Sequence, residues 1–230
     1  NDANNALVGY GVSMVTLYYL NRHISFINKV LADVNETEFE ISNEVFAWFK
    51  DAKKTYEKYS TTINEKLDAV KRKTFVQELQ KLFSNYRQKT YNKSSSGENK
   101  IKVIDIINFN NLVLAHFENS INNNYKESLY GAYNTINIDD SNKINVTSLY
   151  PMLEGQVSAL SSGKVEPKNA IKMLNALFES DIYQKEQNSF MLYPRKDLKR
   201  FLEKNIIPEE IVNESNLFKA LIKRNNTDII

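Results

Sequence analysis

Cysteine is absent from the chain, and with it go disulfides, thiol nucleophiles and thiolate metal sites. Six glycines in 230 residues are too few to write a phosphate-binding loop of either the P-loop or the dinucleotide kind. Only two histidines occur, His23 and His116. Each falls on the flank of an apolar helical face, where a hydrogen-bonded structural histidine is the common case. No serine sits in a nucleophile-elbow context. Lys and Arg number 30 against 28 Asp and Glu, interleaved rather than in blocks, so a net charge of +2 leaves no footprint for nucleic acid. None of these features implies a cofactor.

A membrane-length apolar run is also missing. Residues 7–20, LVGYGVSMVTLYYL, are apolar nearly all round. Asn21, Arg22 and His23 then cut the run below the ~20 residues a bilayer needs. Basic residues follow this segment, whereas a signal peptide carries them in front. The expectation is a long, well-buried helix over 7–34 with no membrane span, in a soluble chain for which the cytoplasm is the favoured compartment. The chain opens in polar residues without a Met, as a piece cut from a larger protein or a mature, processed chain does, and the expectation is the cut piece.

What is present is helical periodicity. Ser42 or Asn43 caps a helix carrying Val45, Phe46, Trp48 and Phe49. Residues 60–91 put Ile63, Leu67, Val70, Phe75, Leu79, Leu82, Phe83 and Tyr86 near one stripe, a long amphipathic helix. NKSSSGENK at 92–100 reads as a flexible loop. Periodicity resumes from Ile104 to Ile121, breaks at Asn122–Asn124, and Tyr125 to Tyr133 reads as a short helix. The abundance of Asn along the whole chain reads as compositional bias.

TINIDDSNKINV at 135–146 alternates Ile136, Ile138, Ile144 and Val146 with polar residues about a turn, which predicts a β-hairpin. Its turn has neither the glycine nor the bidentate Glu of a calcium loop, so no metal site is expected. Ser148 then stands as N-cap of a helix carrying Leu149, Met152, Leu153, Val157 and Leu160, with Gly163 as its stop. Pro167 opens a second helix bearing Ile171, Leu174, Leu177 and Phe178. Residues 182–194 have no helical period. A short helix over 196–204 follows, and Pro208 opens a last one with Glu209 and Glu210 in its first turn.

One polar residue lies where a bland core would have none. Gln156 lands in the middle of an apolar helix face, with Glu154 to its side. It either lines a ligand site or hydrogen-bonds the backbone of a neighbouring loop. Tyr133, Tyr150, Tyr183 and Tyr193 have the flat, half-polar rings that stack on sugars, and that also edge ordinary cores. The candidate binding residues are therefore Gln156, Glu154, Tyr150, Tyr133, Tyr183 and Tyr193. Glu154, Glu179 and Asp181 are carboxylates of the type glycoside chemistry needs, though spacing pairs none of them, and no catalytic residue is assigned.

Two stretches carry a resemblance. One is Asn110–Glu118 (NNLVLAHFE) with Leu129–Asn134 (LYGAYN). The other is Leu149–Gln156 (LYPMLEGQ) through Ser161-Ser162-Gly163, with Phe190–Pro194 and Phe201–Asn205. Together with Leu20-Asn21-Arg22-His23 they resemble a segment of large bacterial cellobiose-phosphorylase-like proteins. The resemblance implies a helical piece of a much larger carbohydrate-active protein, part of an (α/α) toroid, with carbohydrate and the rest of that polypeptide as partners.

The expected fold is mainly α: about eight helices as antiparallel hairpins in a bundle, with one β-hairpin near 135–146. The expected division is an N-terminal helical region over 1–92, a loop at 93–100 and a helical region over 101–230, all in one compact unit. Two functions follow. The leading one is a helical region of a carbohydrate-active protein that presents a sugar-facing or structural surface without a complete catalytic site. The alternative is a helical interaction or scaffold module.

Overall fold

A computed structural model describes residues 7–63, 67–92, 97–139, 142–195 and 198–225. The chain divides into two compact units, Asn1–Pro194 and Arg195–Ile230.

The first unit is built on six helices: α1 (Met14–Asp33), α2 (Asn43–Lys58), α3 (Ala69–Tyr91), α4 (Val103–Asn123), α5 (Leu153–Ser161) and α6 (Pro167–Glu179). Helix α1 packs on α4 and on α5, while α2 packs on α3. The predicted hairpin forms from β6 (Tyr133–Asp139) and β7 (Lys143–Ser148), with Ile136 opposite Val146 and Ile138 opposite Ile144. A short strand, β1 (Gly11–Ser13), joins its free edge and makes a three-stranded antiparallel sheet.

More strand is present than the hairpin alone. The segment between the first two helices and the end of the expected loop at 92–100 pair as β2 (Glu38–Ser42) and β3 (Glu98–Lys102), Phe39 opposite Ile101. Their alternation, EFEIS and ENKIK, spans only five residues each, and Lys100 Nζ meets Glu38 Oε1 at 2.6 Å across the pair. Residues 93–96 of that loop lie outside the described residues. The expected helix at 125–133 is a tight hairpin instead. Its strands, β4 (Tyr125–Lys126) and β5 (Leu129–Tyr130), flank Glu127 and Ser128 at φ 50° and 65°. Two consecutive left-handed residues give a turn whose twist suits a two-residue hairpin loop, and no helix passes through them. A last pair, β8 (Tyr183–Gln184) and β9 (Ser189–Phe190), orders the aperiodic 182–194 segment.

Three helix starts also differ from expectation. Helix α1 begins at Met14, where Ser13 Oγ accepts from Thr16 N at 3.1 Å. It buries only Met14, Tyr18 and Asn21, so its all-round apolar character is not burial: Phe26 is 60% exposed. Helix α3 begins at Ala69 and not at 60, because Asp68 Oδ1 takes the N–H groups of Val70 and Lys71, an N-cap that ends the preceding chain direction. Ser148 is the last residue of β7, paired with Asn134. The helix it was expected to cap therefore starts four residues later, at Leu153 with Met152 in the N-cap position, while Gly163 at φ 75° follows its end as expected. In α6 the buried residues are Met173 and Leu177, and the expected face of Ile171 and Leu174 is exposed.

Two clusters form the core. Met14, Tyr18, Ile121, Leu129, Tyr130, Ala159, Met173, Leu177 and Ile182 make the larger one, and Ala132, Tyr133 and Met152 the smaller. Both converge on the short segment 129–134. The second unit contains three short helices, α7 (Phe201–Lys204), α8 (Glu209–Glu214) and α9 (Asn216–Lys223). Pro208 precedes α8, and Glu209 and Glu210 fill its first turn. The helix expected over 196–204 is confined to Phe201–Lys204, with 196–197 outside the described residues. No described side chain of this unit is buried. No helix among the described residues is long and apolar enough to cross a membrane.

Candidate ligand groove

The main chain of 129–134 is gripped from three sides. Helix α1 delivers Met14 N and Val15 N to Ala132 O, and Tyr18 Oη to Gly131 O at 2.9 Å. Helix α5 delivers Gln156, whose Oε1 accepts from Tyr130 N at 2.8 Å while Nε2 donates to Tyr130 O at 2.7 Å and to Met152 O at 3.0 Å. Gly155 lies so close that a Cβ there would sit 2.7 Å from Tyr130 O. From the third side, Asn124 O accepts from Gly131 N. Of the segments that carry the resemblance, Leu20–His23 touches the second stretch: Arg22 Nη1 donates to Ser161 Oγ at 2.8 Å, and Asn21 Nδ2 to Ser162 O at 3.3 Å.

Against this frame the six candidate residues separate. Gln156 is 1% exposed and both its amide protons go to main-chain carbonyls, so the backbone-bonding alternative describes its geometry. Tyr133 is buried and donates to Glu154 Oε2 at 3.1 Å, with Tyr150 packed on the same small cluster. Tyr183 belongs to a different aromatic group, 5.0 Å from Phe178 and 5.2 Å from Phe190 by ring centres, with its hydroxyl on Asn188. Tyr193 is exposed. Structure thus brings Tyr133, Tyr150 and Glu154 together and leaves Tyr183 apart from them.

A concave site lies elsewhere, where α1, α3, α4 and the β6–β7 hairpin meet. It is a groove of about 610 Å³, a volume typical of small-molecule sites. None of the six candidates lines it. Its apolar wall is Tyr56, Phe75 and Phe117, and its polar wall is a stripe down α4, His116, Asn119, Ser120, Asn123 and Asn124, facing Asn134 on β6. The stripe repeats at helical spacing, a signal in the sequence that the reading of Asn as compositional bias passed over.

The groove's electrostatics are one-sided. Arg72 and Lys126 line it, and no carboxylate does among the described residues. Arg72 spends its guanidinium on two carbonyls, Ile144 O and Leu67 O, both at 2.6 Å, and burial lowers its pKa from the ordinary value. Lys126 Nζ donates to Ser148 Oγ at 3.0 Å. His116 stands edge-on to Tyr56, ring centres 5.1 Å apart. Burial pushes its imidazole below the ordinary value, and a hydrogen bond with the Tyr56 main chain opposes that shift.

Residues 198–230 match the family described as GH149 phosphorylase insertion domain 2. Comparison with curated proteins gives no match. The family match lies in the second unit and meets the resemblance only at its last segment, Phe201–Asn205. Over that short stretch the chain is similar to part of a glycoside phosphorylase.

Proposed function

We propose that the chain is a region of a larger glycoside-phosphorylase-type protein, in which the first unit forms a structural, sugar-facing surface without a complete catalytic site. The match of residues 198–230 to a phosphorylase insertion domain carries this reading. Exposed apolar stripes support it. Ile171 on α6 is 62% exposed and Phe26 on α1 is 60% exposed, and the second unit buries no described side chain. Such surfaces are covered in the protein that uses them. Tyr150 and Glu154 are the residues of the first unit that would face sugar, with the buried Tyr133 and Gln156 as struts behind them and Tyr183 and Tyr193 outlying.

A scaffold role without any small-molecule site is the second reading, and the wholly internal bonding of Gln156 favours it. Two assays test these readings. The purified chain alone is expected to release no phosphate from a sugar 1-phosphate offered with oligosaccharide acceptors. Phosphate release in proportion to chain concentration would overturn the reading of an incomplete site. Protection of Tyr150 and Glu154 by an oligosaccharide in hydrogen exchange would favour the sugar-facing surface over the scaffold.

A further inference from the structure

Two buried acceptors of the groove have no partner, Asn134 Oδ1 and His116 Nε2. Their chemistry follows from the bonds around them. Asn124 Nδ2 donates to Ser120 O at 2.9 Å, which fixes Asn124 Oδ1 as an acceptor. Asn134 must therefore use its Nδ2 to reach Asn124 Oδ1, at 2.9 Å, and the oxygen is what remains. Asn134 is 3% exposed, so this oxygen lies in the interior with no protein donor on it, and a buried acceptor calls for a partner. For His116, the bond with the Tyr56 main chain raises the pKa, as a bond donated by the imidazole does. With Nε2 unpartnered, the neutral ring carries its proton on Nδ1, and Nε2 is a second bare acceptor.

A ligand that completes this site brings donors, not acceptors. An anion such as phosphate or a carboxylate has only acceptors to offer at these two atoms. A cation would meet Arg72 and Lys126 with no carboxylate to offset them. What fits both is an uncharged molecule with several hydroxyl groups and an apolar face to lie on Phe75 and Phe117. We propose that the groove between α3, α4 and the β6–β7 hairpin is a binding site for a neutral, polyhydroxylated ring-sized ligand, whose hydroxyls donate to Asn134 Oδ1 and His116 Nε2. Asn134 is tied through the Asn124 side chain to the main-chain carbonyl of Ser120 on α4, and Ser120 Oγ donates to the main-chain carbonyl of His116 at 3.1 Å, so both acceptors belong to the wall that α4 forms. The groove's own donors and acceptors select this ligand whatever the chain's place in a larger protein.

The test is calorimetric titration of the purified 230-residue chain with myo-inositol and with cellobiose, and with glucuronate and glucose 1-phosphate as charged controls. The neutral probes are expected to bind saturably and more tightly than the charged ones. His116→Phe keeps the ring packing on Tyr56 and Phe75 and removes only the acceptor, so it should weaken binding by about tenfold, one hydrogen bond's worth. Val146→Trp fills the groove from its exposed edge and should abolish binding while the thermal unfolding midpoint is unchanged. Binding undiminished in both variants would overturn the assignment, as would preference for a charged probe. Failure of the folded wild type to bind either neutral probe up to its solubility limit would do the same.

Discussion

Gln156 holds Tyr130 by both of its main-chain polar groups, accepting from Tyr130 N at 2.8 Å and donating to Tyr130 O at 2.7 Å. A side-chain amide here takes the place of a neighbouring strand, satisfying a buried backbone donor and acceptor that a two-residue strand cannot satisfy by itself. That relationship makes the 129–134 segment a fixed part of the core, and α1, α5 and the hairpin are positioned by their bonds to it.

Removing the strut should therefore be expensive. Gln156→Leu keeps the volume but leaves Tyr130 N and Tyr130 O unpaired in the interior, at roughly 1–3 kcal/mol each. Urea unfolding monitored by circular dichroism is expected to show a loss of that order. A loss below about 0.5 kcal/mol, the range of an ordinary surface change, would mean that the amide is dispensable.

Gly155→Ala separates packing from propensity. In an isolated helix the change gains up to about 1 kcal/mol. Here the new methyl would sit 2.7 Å from Tyr130 O and 3.0 Å from Ala132 N, both main-chain atoms held by other bonds. Overpacking of this kind costs about 1–3 kcal/mol, so a net destabilisation is expected in the same unfolding experiment. A stabilised variant would show that α5 and the 129–134 segment are not in such close contact.

These two positions also show what could be read from the sequence and what could not. The face that carries Gln156 was legible, because 3.6-residue periodicity is a local property. Its partner was not: Tyr130 is 26 residues earlier, in a segment whose composition reads as helix until Glu127 and Ser128 take left-handed angles. The β6–β7 hairpin was legible because its alternation runs over whole strands. The β2–β3 pair was not, since five-residue strands separated by α2 and α3 carry too little pattern. The groove was hidden for a different reason. His116, Ser120 and Asn124 recur every four residues on α4, but Asn134 faces them from a separate element, and only the fold makes one wall of them.

His116 supplies a pH dependence with a definite sign. Burial holds its folded-state pKa below the ordinary 6.5. As pH falls, the unfolded chain takes up this proton first, so stability decreases below about pH 6.5 and the decrease ends once pH passes the lower, folded-state value. Arg72 and Lys126 also line the groove and offer the imidazolium no relief. His116→Phe should remove this component, flattening the stability profile between pH 7 and 5 relative to the wild type. A profile unchanged by the substitution would place the titration on other groups.

The most direct measurement of the account is made on the complete polypeptide of which this chain is taken to be a region. It should be purified, supplied with sugar 1-phosphates and a panel of oligosaccharide acceptors, and followed by phosphate release. The account predicts phosphate release for at least one donor and acceptor pair, with none from the isolated 230-residue chain. Absence of synthesis and of the reverse phosphorolysis with every pair, in a complete and folded protein, would contradict it and leave the match at 198–230 as a likeness of one small helical unit.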